Sequence, residues 1–525
     1  MDRGDEGCPD GGGGVAGVRV TEVSRAGSVP GLDEGSTAAA VLARAGVRER
    51  QVFVLAADGS YDVELNRFFR ELDAWGVRAA NSVSAYARDI AVFCRFLEQA
   101  RGGKSIWACD AADLAAFKRA RLRGDPGQTV SVRTWRRSIA ALDKWAAWAK
   151  YEGLVAGLPF RYADKTVWTP NGLQRIVVNT ASEPDPGPAP VRFMAFEDYL
   201  TWRDVGLAGR LPDGRPDPSW RGLHDERNCL FADLLIFTGM RLGEAASLLV
   251  CEMPGIRSSA GRVPVISLAE AVTKRSRARA VFPPSRLVRS LRRYESIERG
   301  ELAGRLRATG RYRAGGDTIL VRRAGQRSIR LADGPLTGVG KLDPLTRRHL
   351  MGIDESGELT GPLALWLGDD GLPLRPAAWQ AVFTRASERC ATFGLEVRAT
   401  PHLLRHSFAV HMLGLLLRQT VAALGEAHTA GSLTSAQVKR LLAGNPMRKL
   451  QLLLGHRNEA TVYTYLDVLD EAQEIVASAL EQWETQAAVP GQADEHIDEG
   501  WRDEDEGYGL PGHVLAGACS ASVTR

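Results

Sequence analysis

The chain has 525 residues, 44% of them hydrophobic, which is enough for two or three domains with their own cores. No run of eighteen apolar residues occurs, and the acidic, Gly-rich start (MDRGDEGCPDGGGG) lacks an apolar segment. We therefore expect neither a membrane span nor a signal peptide. The seven cysteines are scattered and form no C-x-x-C pair, which argues against a disulfide framework or a zinc knuckle and is typical of a cytosolic protein.

Charge is unevenly distributed along the chain. Acidic residues outnumber arginines nine to six in residues 1–60 and eight to two in residues 485–525, so the segment between them is basic. A basic body with acidic ends indicates a polyanionic partner. Arginines outnumber lysines 58 to nine, and the forked guanidinium group suits contacts with phosphate. Together with abundant Ala and Gly, this ratio is typical of a GC-rich genome.

Residues 1–58 lack periodicity and predict a disordered tail. Residues 59–160 then show a helical pattern in four segments, which predicts a small α domain. The third segment opens at the N-cap residue Asp110 and closes at Gly124. The fourth carries an apolar stripe that we expect in the core: Trp135, Ile139, Leu142 and Trp145.

Basic residues cover the other faces of these helices, among them Lys118, Arg136 and Arg137. A solvated surface and a contact with nucleic-acid backbone explain such residues equally well.

Residues 161–195 include the Pro-rich stretch SEPDPGPAP and predict a linker.

A larger, mainly helical domain is predicted for residues 196–484, with a strand-rich patch near 262–283. Within it, the Gly-rich stretch 300–395 has the pattern of inserted irregular loops. The acidic residues 485–525 predict a second disordered tail.

Two basic motifs of this larger domain could carry chemistry. The stretch FTGMRLGEAASLL sets Glu244 one helical turn from Arg241, a pairing that is often surface decoration when it occurs alone. The stretch TKRSRARAVFPP has the pattern of a β-hairpin arm and contains Lys274, the only lysine between residues 165 and 341. Lysine can release a proton whereas arginine effectively cannot, although a basic loop that only attracts phosphate remains the alternative.

Two further motifs follow. ATPHLLRHSFAVHML sets His402 one turn from Arg405 behind a proline suited to a helix start, although about one such pair is expected by chance. In LLGHRNEATVYTYL, a helix ends before His456 and a second helix carries Tyr463 and Tyr465. Side chains two positions apart on a helix point about 200° away from each other, so only one of these tyrosines can face a given reactant. Periodicity does not decide which one.

The order and spacing of these motifs resemble the tyrosine recombinase (phage integrase) family, over roughly residues 60–160 and 196–484. The resemblance implies a mainly α protein, with an N-terminal four-helix core-binding domain at 59–160 and a mixed α+β catalytic domain at 196–484 that contains a small β-hairpin. Carried over motif by motif, it implies the catalytic residues Arg241, Lys274, His402, Arg405, His456 and Tyr465, supported by Glu244. Candidate DNA contacts are Arg275, Arg277, Arg279, Lys118, Arg136 and Arg137.

In such a recombinase the tyrosine, here Tyr465, attacks a DNA phosphodiester and forms a 3′-phosphotyrosyl bond. Arginine and histidine donors clamp the charge that develops on the phosphate. His402 is expected to accept or relay the tyrosine proton, and Lys274 to protonate the leaving 5′-hydroxyl. The bond energy is conserved in the intermediate, so neither ATP nor a metal is expected, and no G-x-x-x-x-G-K-[ST] loop occurs.

The resemblance implies a site-specific recombinase that integrates or excises a mobile element in the bacterial cytoplasm, acting as a homotetramer on two double-stranded DNA sites. Directionality or accessory proteins are possible partners, and the amphipathic segment 471–484 is expected to pack on a neighbouring protomer or in cis. A type IB topoisomerase or an inactive DNA-binding relative are the alternatives. Extra residues near 200–225, 300–390 and 414–447 depart from the family pattern, the last of them between H-x-x-R and Leu-Gly-His.

Overall fold

A computed structural model describes residues 19–22, 51–125, 127, 129–169, 172–187, 191–255, 263–273, 277–313, 318–429, 445–456 and 460–466. The N-terminal part contains two short antiparallel strands, β1 (Arg19–Glu22) and β2 (Val52–Leu55). Four helices follow: α1 (Val63–Glu71), α2 (Ala80–Ala100), α3 (Ala111–Arg123) and α4 (Val132–Tyr151). The four predicted helices are therefore present.

Local sequence explains the ends and the buried faces of these helices. Asp110 caps α3 by accepting hydrogen bonds from the backbone amides of Ala112 and Asp113, and Gly124 follows the last turn. The predicted stripe of α4 is buried in the N-terminal core, beside helix α2: Trp135, Ile139, Leu142 and Trp145. Fixed caps and one apolar face per helix are sufficient to specify this small helical unit.

Two parts of the N-terminal half differ from the sequence prediction. The expected tail 1–58 contributes β1 and β2, because the alternation of QVFVL buries Val52 and Val54 in the helical core. The expected linker 161–195 contains a hairpin of two eight-residue strands, β3 (Tyr162–Thr169) and β4 (Gly172–Asn179). β-Branched and aromatic residues on these strands outweigh the prolines, which come after the hairpin.

The C-terminal part is built mainly of helices. Its helices are α5 (Phe196–Gly206), α6 (Asp225–Thr238), α7 (Leu242–Ala246), α8 (Ser285–Ser296), α9 (Glu298–Ala308), α10 (Pro344–Arg348), α11 (Pro376–Thr392), α12 (Pro401–Thr429), α13 (Pro446–Leu454) and α14 (Ala460–Tyr463). They enclose a second hydrophobic core that is separate from the N-terminal one and contains Trp202, Phe231, Trp366 and Trp379. The fold class is therefore the helix-rich one that was predicted.

Two sheets accompany these helices. Strands β5 (Ile266–Leu268) and β6 (Arg279–Val281) pair antiparallel and confirm the predicted hairpin. A five-stranded sheet has the order β11-β10-β7-β8-β9, with β7 (Ile319–Ala324), β8 (Ser328–Leu331), β9 (Leu336–Gly338), β10 (Leu350–Ile353) and β11 (Leu359–Pro362). The interpretation of residues 300–395 as irregular loops was wrong, since this sheet and helices α10 and α11 occupy much of the stretch.

The extra residues after H-x-x-R extend helix α12 as far as Thr429, and α13 begins at Pro446. The remainder of that insertion, the segment 471–484 and the acidic tail 485–525 lie outside the described residues. No helix in the described part of the chain is long and apolar enough to cross a membrane.

Candidate active site

The first part of the site is the turn between α6 and α7. Helix α6 ends at Gly239, whose φ of 62° favours glycine, and a Cβ there would come within 2.3 Å of the Phe408 ring. This turn directs Arg241 to the start of α7. Glu244 accepts hydrogen bonds from the backbone amide of Arg241 at 2.7 Å and from its Nη1 at 2.9 Å. The guanidinium group is thus fixed by a carboxylate that is only 1% exposed.

A second arginine holds the same carboxylate from the β5–β6 hairpin. Arg279 donates from Nη1 and Nη2 to the two oxygens of Glu244, both at 2.7 Å, and from Nε to the carbonyl of Leu453 at 3.1 Å. Burial raises the pKa of Glu244, but the hydrogen bonds and charge of Arg279, with those of Arg241, lower it overall. Arg279 therefore ties α7, the hairpin and α13 together, an internal role that sequence reasoning did not assign to it.

Arg405 of helix α12 is buried behind this pair. Its Nη1 donates to the carbonyl of Gly239, and its Nη2 donates to that of Leu454 at 2.6 Å. Within the described residues it forms no ion pair with a carboxylate. Burial, followed by the charges of Arg241 and Arg279, lowers the pKa of Arg405 to about 9. Arg241 and Arg279 thus share the buried carboxylate of Glu244 and Arg405 has no carboxylate partner among the described residues, which leaves excess positive charge for an anion to neutralise.

His456 lies next to Arg405. Gly455, in the left-handed region with φ 64°, ends α13, and a Cβ there would lie 3.0 Å from the Arg279 side chain. The Nε2 of His456 is 3.4 Å from Arg405 Nη2, and its Nδ1 is 3.0 Å from Thr461 Oγ1. Burial, followed by the nearby arginines, lowers the pKa of His456 to about 4, so its imidazole is neutral at pH 7.

The two tyrosines that follow His456 differ in their surroundings. Tyr465 lies in the turn after α14 and is 3% exposed, whereas Tyr463 is 49% exposed. The hydroxyl of Tyr465 is 3.1 Å from His406 Nδ1, and its ring stacks on His456 at a centroid distance of 6.5 Å. Burial raises the pKa of Tyr465, while the charges of Arg405 and Arg241 act in the opposite direction.

His406 is the site residue that sequence reasoning missed. The tyrosine proton was expected to go to His402, which is exposed and stacks on the His406 ring with 4.4 Å between centroids. Burial, then the neighbouring His402 and Arg405, lowers the pKa of His406 to about 4. The available signal was the spacing of four residues between the two histidines, which puts both on one face of α12.

The remaining candidates are distributed elsewhere. Lys274 and Arg275 lie outside the described residues, and Arg277 is exposed just before β6. In the N-terminal domain, Arg137 forms a two-pronged ion pair with Asp89 at 2.8 and 3.0 Å. Two other pairs link predicted DNA contacts to the segment before α5, each at 2.7 Å: Lys118–Glu183 and Arg136–Asp185.

Residues 65–153 match the family model described as "Phage integrase, N-terminal SAM-like domain". No curated protein matches the chain. Similar solved structures include XerH site-specific recombinase bound to difH substrate (16% identity, 80% of this chain and 86% of that chain covered, TM-score 0.40). A second similar structure is Tn1549 transposon integrase in complex with a circular intermediate DNA (13% identity, 76% of this chain and 93% of that chain covered, TM-score 0.39). A third is a lambda integrase dimer bound to a COC′ core site (13% identity, 76% of this chain and 75% of that chain covered, TM-score 0.37).

The matched range coincides with the four-helix domain, whose helices α1 to α4 span Val63–Tyr151. The motifs of the C-terminal part had predicted the same family from the other half of the chain. Residues 65–153 of this chain therefore form a phage integrase N-terminal SAM-like domain.

Proposed function

We propose that this protein is a site-specific DNA recombinase that cleaves and rejoins DNA through a 3′-phosphotyrosyl intermediate, for the integration or excision of a mobile element. The single observation that carries the proposal is the buried hydroxyl of Tyr465, 3.1 Å from His406 Nδ1 and beside an arginine cluster with one carboxylate. A nucleophile next to a proton acceptor and an anion site is the combination that phosphoryl transfer requires.

Charge stabilisation is the role we assign to Arg241 and Arg405. The transition state carries negative charge on the non-bridging phosphate oxygens, and guanidinium groups already held in position need no reorganisation when that charge develops. Glu244 fixes Arg241 through two hydrogen bonds, while Arg405 is held by two backbone carbonyls. We also assign a donor role to His456, from Nε2, with Nδ1 accepting from the Thr461 hydroxyl.

Proton transfer follows from the surroundings of the tyrosine. The Oη–P bond forms as the P–O5′ bond breaks, so the tyrosine loses a proton and the 5′-oxygen gains one. A neutral His406, with its pKa lowered to about 4, can accept the proton of Tyr465 at Nδ1. His402 stacks on His406 and would hold that ring in position, and Lys274 remains our candidate for protonating the 5′-oxygen.

Replacing His406 by Asn is expected to slow DNA cleavage about a hundredfold, because a positioned proton acceptor contributes roughly 10²–10⁴. His402→Asn, one turn away on the same face, is the matched control and should slow cleavage by less than about tenfold. Single-turnover cleavage of a site-containing duplex measures both. A larger loss in His402→Asn than in His406→Asn would return the acceptor role to His402.

Double-stranded DNA recombination sites are the substrate we propose, bound by a homotetramer with or without directionality and accessory proteins. The match of residues 65–153 to a phage integrase N-terminal domain and the arginine cluster beside Tyr465 support a DNA substrate. The reaction would then take place on the DNA of the bacterial cytoplasm. Synapsis by a variant that lacks residues 471–525 tests whether the segment 471–484 joins protomers.

The ion pairs of Lys118 and Arg136 suggest how the segment before α5 affects DNA binding. Glu183 and Asp185 hold two of the basic side chains that we propose as backbone contacts. Glu183→Gln with Asp185→Asn should therefore tighten non-specific duplex binding by about threefold to tenfold at low salt, as two repelling charges disappear. Asp164→Asn in hairpin β3–β4, which breaks the exposed pair with Arg175, is the control and removes one negative charge instead of two. Equal effects per charge removed would point to net charge alone.

The test of the proposed function is denaturing capture of covalent protein–DNA adducts from cells that express the full chain, with the attached DNA sequenced. Adducts clustered at one sequence are expected. Adducts spread over the genome would instead favour a type IB topoisomerase, which has the same nucleophile but acts at many sites.

A further inference from the structure

Four exposed arginines occupy one hairpin of the inserted five-stranded sheet. Arg322 and Arg323 lie on β7, Arg327 lies in the turn, and Arg330 lies on β8. No acidic residue occurs from residue 318 to residue 332. We call these four residues the arginine hairpin. Its charge is not part of the active site, whose arginines lie on α7, β6 and α12.

The strand register brings two of these charges directly opposite each other. Arg323 pairs with Arg330 across β7 and β8, after a bulge that follows Val321. Like charges in opposed positions destabilise an antiparallel pair. The hairpin is held in spite of this repulsion because Val321 and Ile329 are buried with Leu249 and Leu350 in a small core of their own. The arginines are thus presented on a supported surface, where an anion would relieve the repulsion.

Some other surface arginines of the C-terminal part are neutralised by ion pairs, whereas these four are not. Arg307 of α9 pairs with Asp354, and Arg293 of α8 pairs with Glu226. Within the part of the chain that the structure describes, the arginine hairpin forms no ion pair, and its one side-chain hydrogen bond joins Arg322 Nε to the carbonyl of Ala332 at 3.4 Å. Solvation alone does not account for four like charges within nine residues of two opposed strands.

We propose that the arginine hairpin binds the phosphate backbone of double-stranded DNA outside the phosphodiester that Tyr465 attacks. The inference rests on the proposed function, since it takes the occupant to be the same duplex or a second one. Guanidinium forks match phosphate oxygens, and contacts to phosphates fix position without reading sequence. The sheet inserted at residues 319–362 thereby extends the DNA-binding surface of the recombinase.

The experiment uses the full chain and a duplex of unrelated sequence. Arg322, Arg323, Arg327 and Arg330 are all changed to Gln in one variant and all changed to Lys in a second. Every phosphate that the protein ceases to neutralise reduces the slope of log K against log salt by about 0.9, so the Gln variant should show a slope smaller by about 2–4. The Lys variant retains the charge and should keep most of the slope. An unchanged slope in the Gln variant overturns the inference.

Two further measurements separate failure of the inference from other causes. The single change Arg323→Gln removes the like-charge pair and should leave the thermal midpoint equal or higher, which shows that the hairpin still folds. Covalent adducts through Tyr465 are scored in parallel. If adducts form but the salt slope is unchanged, only the proposal that the arginine hairpin binds DNA is overturned. If the slope is reduced but no adduct forms, the DNA-binding role of the hairpin is supported and the proposed function is not.

Discussion

Replacing Tyr465 by Phe is expected to abolish the covalent protein–DNA adduct, whereas Tyr463→Phe should leave it in place. The change removes one oxygen, the atom that is 3.1 Å from His406 Nδ1. Loss of a covalent nucleophile costs at least about 10³-fold in rate, since no other group takes over the bond-forming step. Adduct yield after denaturing capture, compared among wild type and the two variants, measures the effect.

The two variants form a matched pair because they make the same chemical change two residues apart. Tyr463 is 49% exposed and Tyr465 is 3% exposed, so only the second loses a buried hydrogen bond, worth about 1 kcal/mol. Both proteins should therefore remain folded. Adducts that survive in Tyr465→Phe and disappear in Tyr463→Phe would contradict the assignment. Absence of adducts from all three would direct attention to a missing partner or to the insertion at 414–447.

Much of this site could be predicted because short motifs carry it. The turn before Arg241, the helix start at Pro401 and the helix end at Gly455 are each set by residues within one helical turn. The choice between Tyr463 and Tyr465 could not be made from periodicity, because it depends on a contact with His406, 59 residues earlier. The family resemblance chose Tyr465, which is the buried one of the two tyrosines.

The sheet at 319–362, in contrast, could not be predicted from short motifs. Its strands are short and rich in Arg and Gly, and Val321, Ile329 and Leu350 become a core only after strands distant in sequence have paired. Local propensity is a weak guide in such segments, because burial on one face is what selects a strand. The role of Arg279 was hidden for a related reason, since its partners Glu244 and Leu453 lie 35 and 174 residues away.

Replacing Glu244 by Gln should both destabilise the protein and slow DNA cleavage. The change leaves Arg279, whose side chain is 8% exposed, without its compensating charge. Removing one partner of a buried ion pair costs about 3 kcal/mol, which corresponds to a thermal midpoint lower by roughly 6–12 °C for a domain of this size. Arg241 also loses the carboxylate that orients it, and a misplaced donor slows phosphoryl transfer by about a hundredfold.

The chain supplies its own control in a second buried pair, Arg347–Glu252, whose side chains are 2% and 5% exposed. Glu252→Gln should lower the thermal midpoint by a similar amount but leave single-turnover cleavage within about threefold of wild type below that midpoint. Equal losses of cleavage in the two variants would mean that Glu244 acts through stability alone.

The pH dependence of stability follows from the lowered pKa of Glu244 in the folded protein. The stabilisation is complete above the pKa that Glu244 has in the unfolded chain, and it disappears as the pH falls through the pKa that Glu244 has in the folded protein. Glu244→Gln should therefore reduce the loss of stability on acidification.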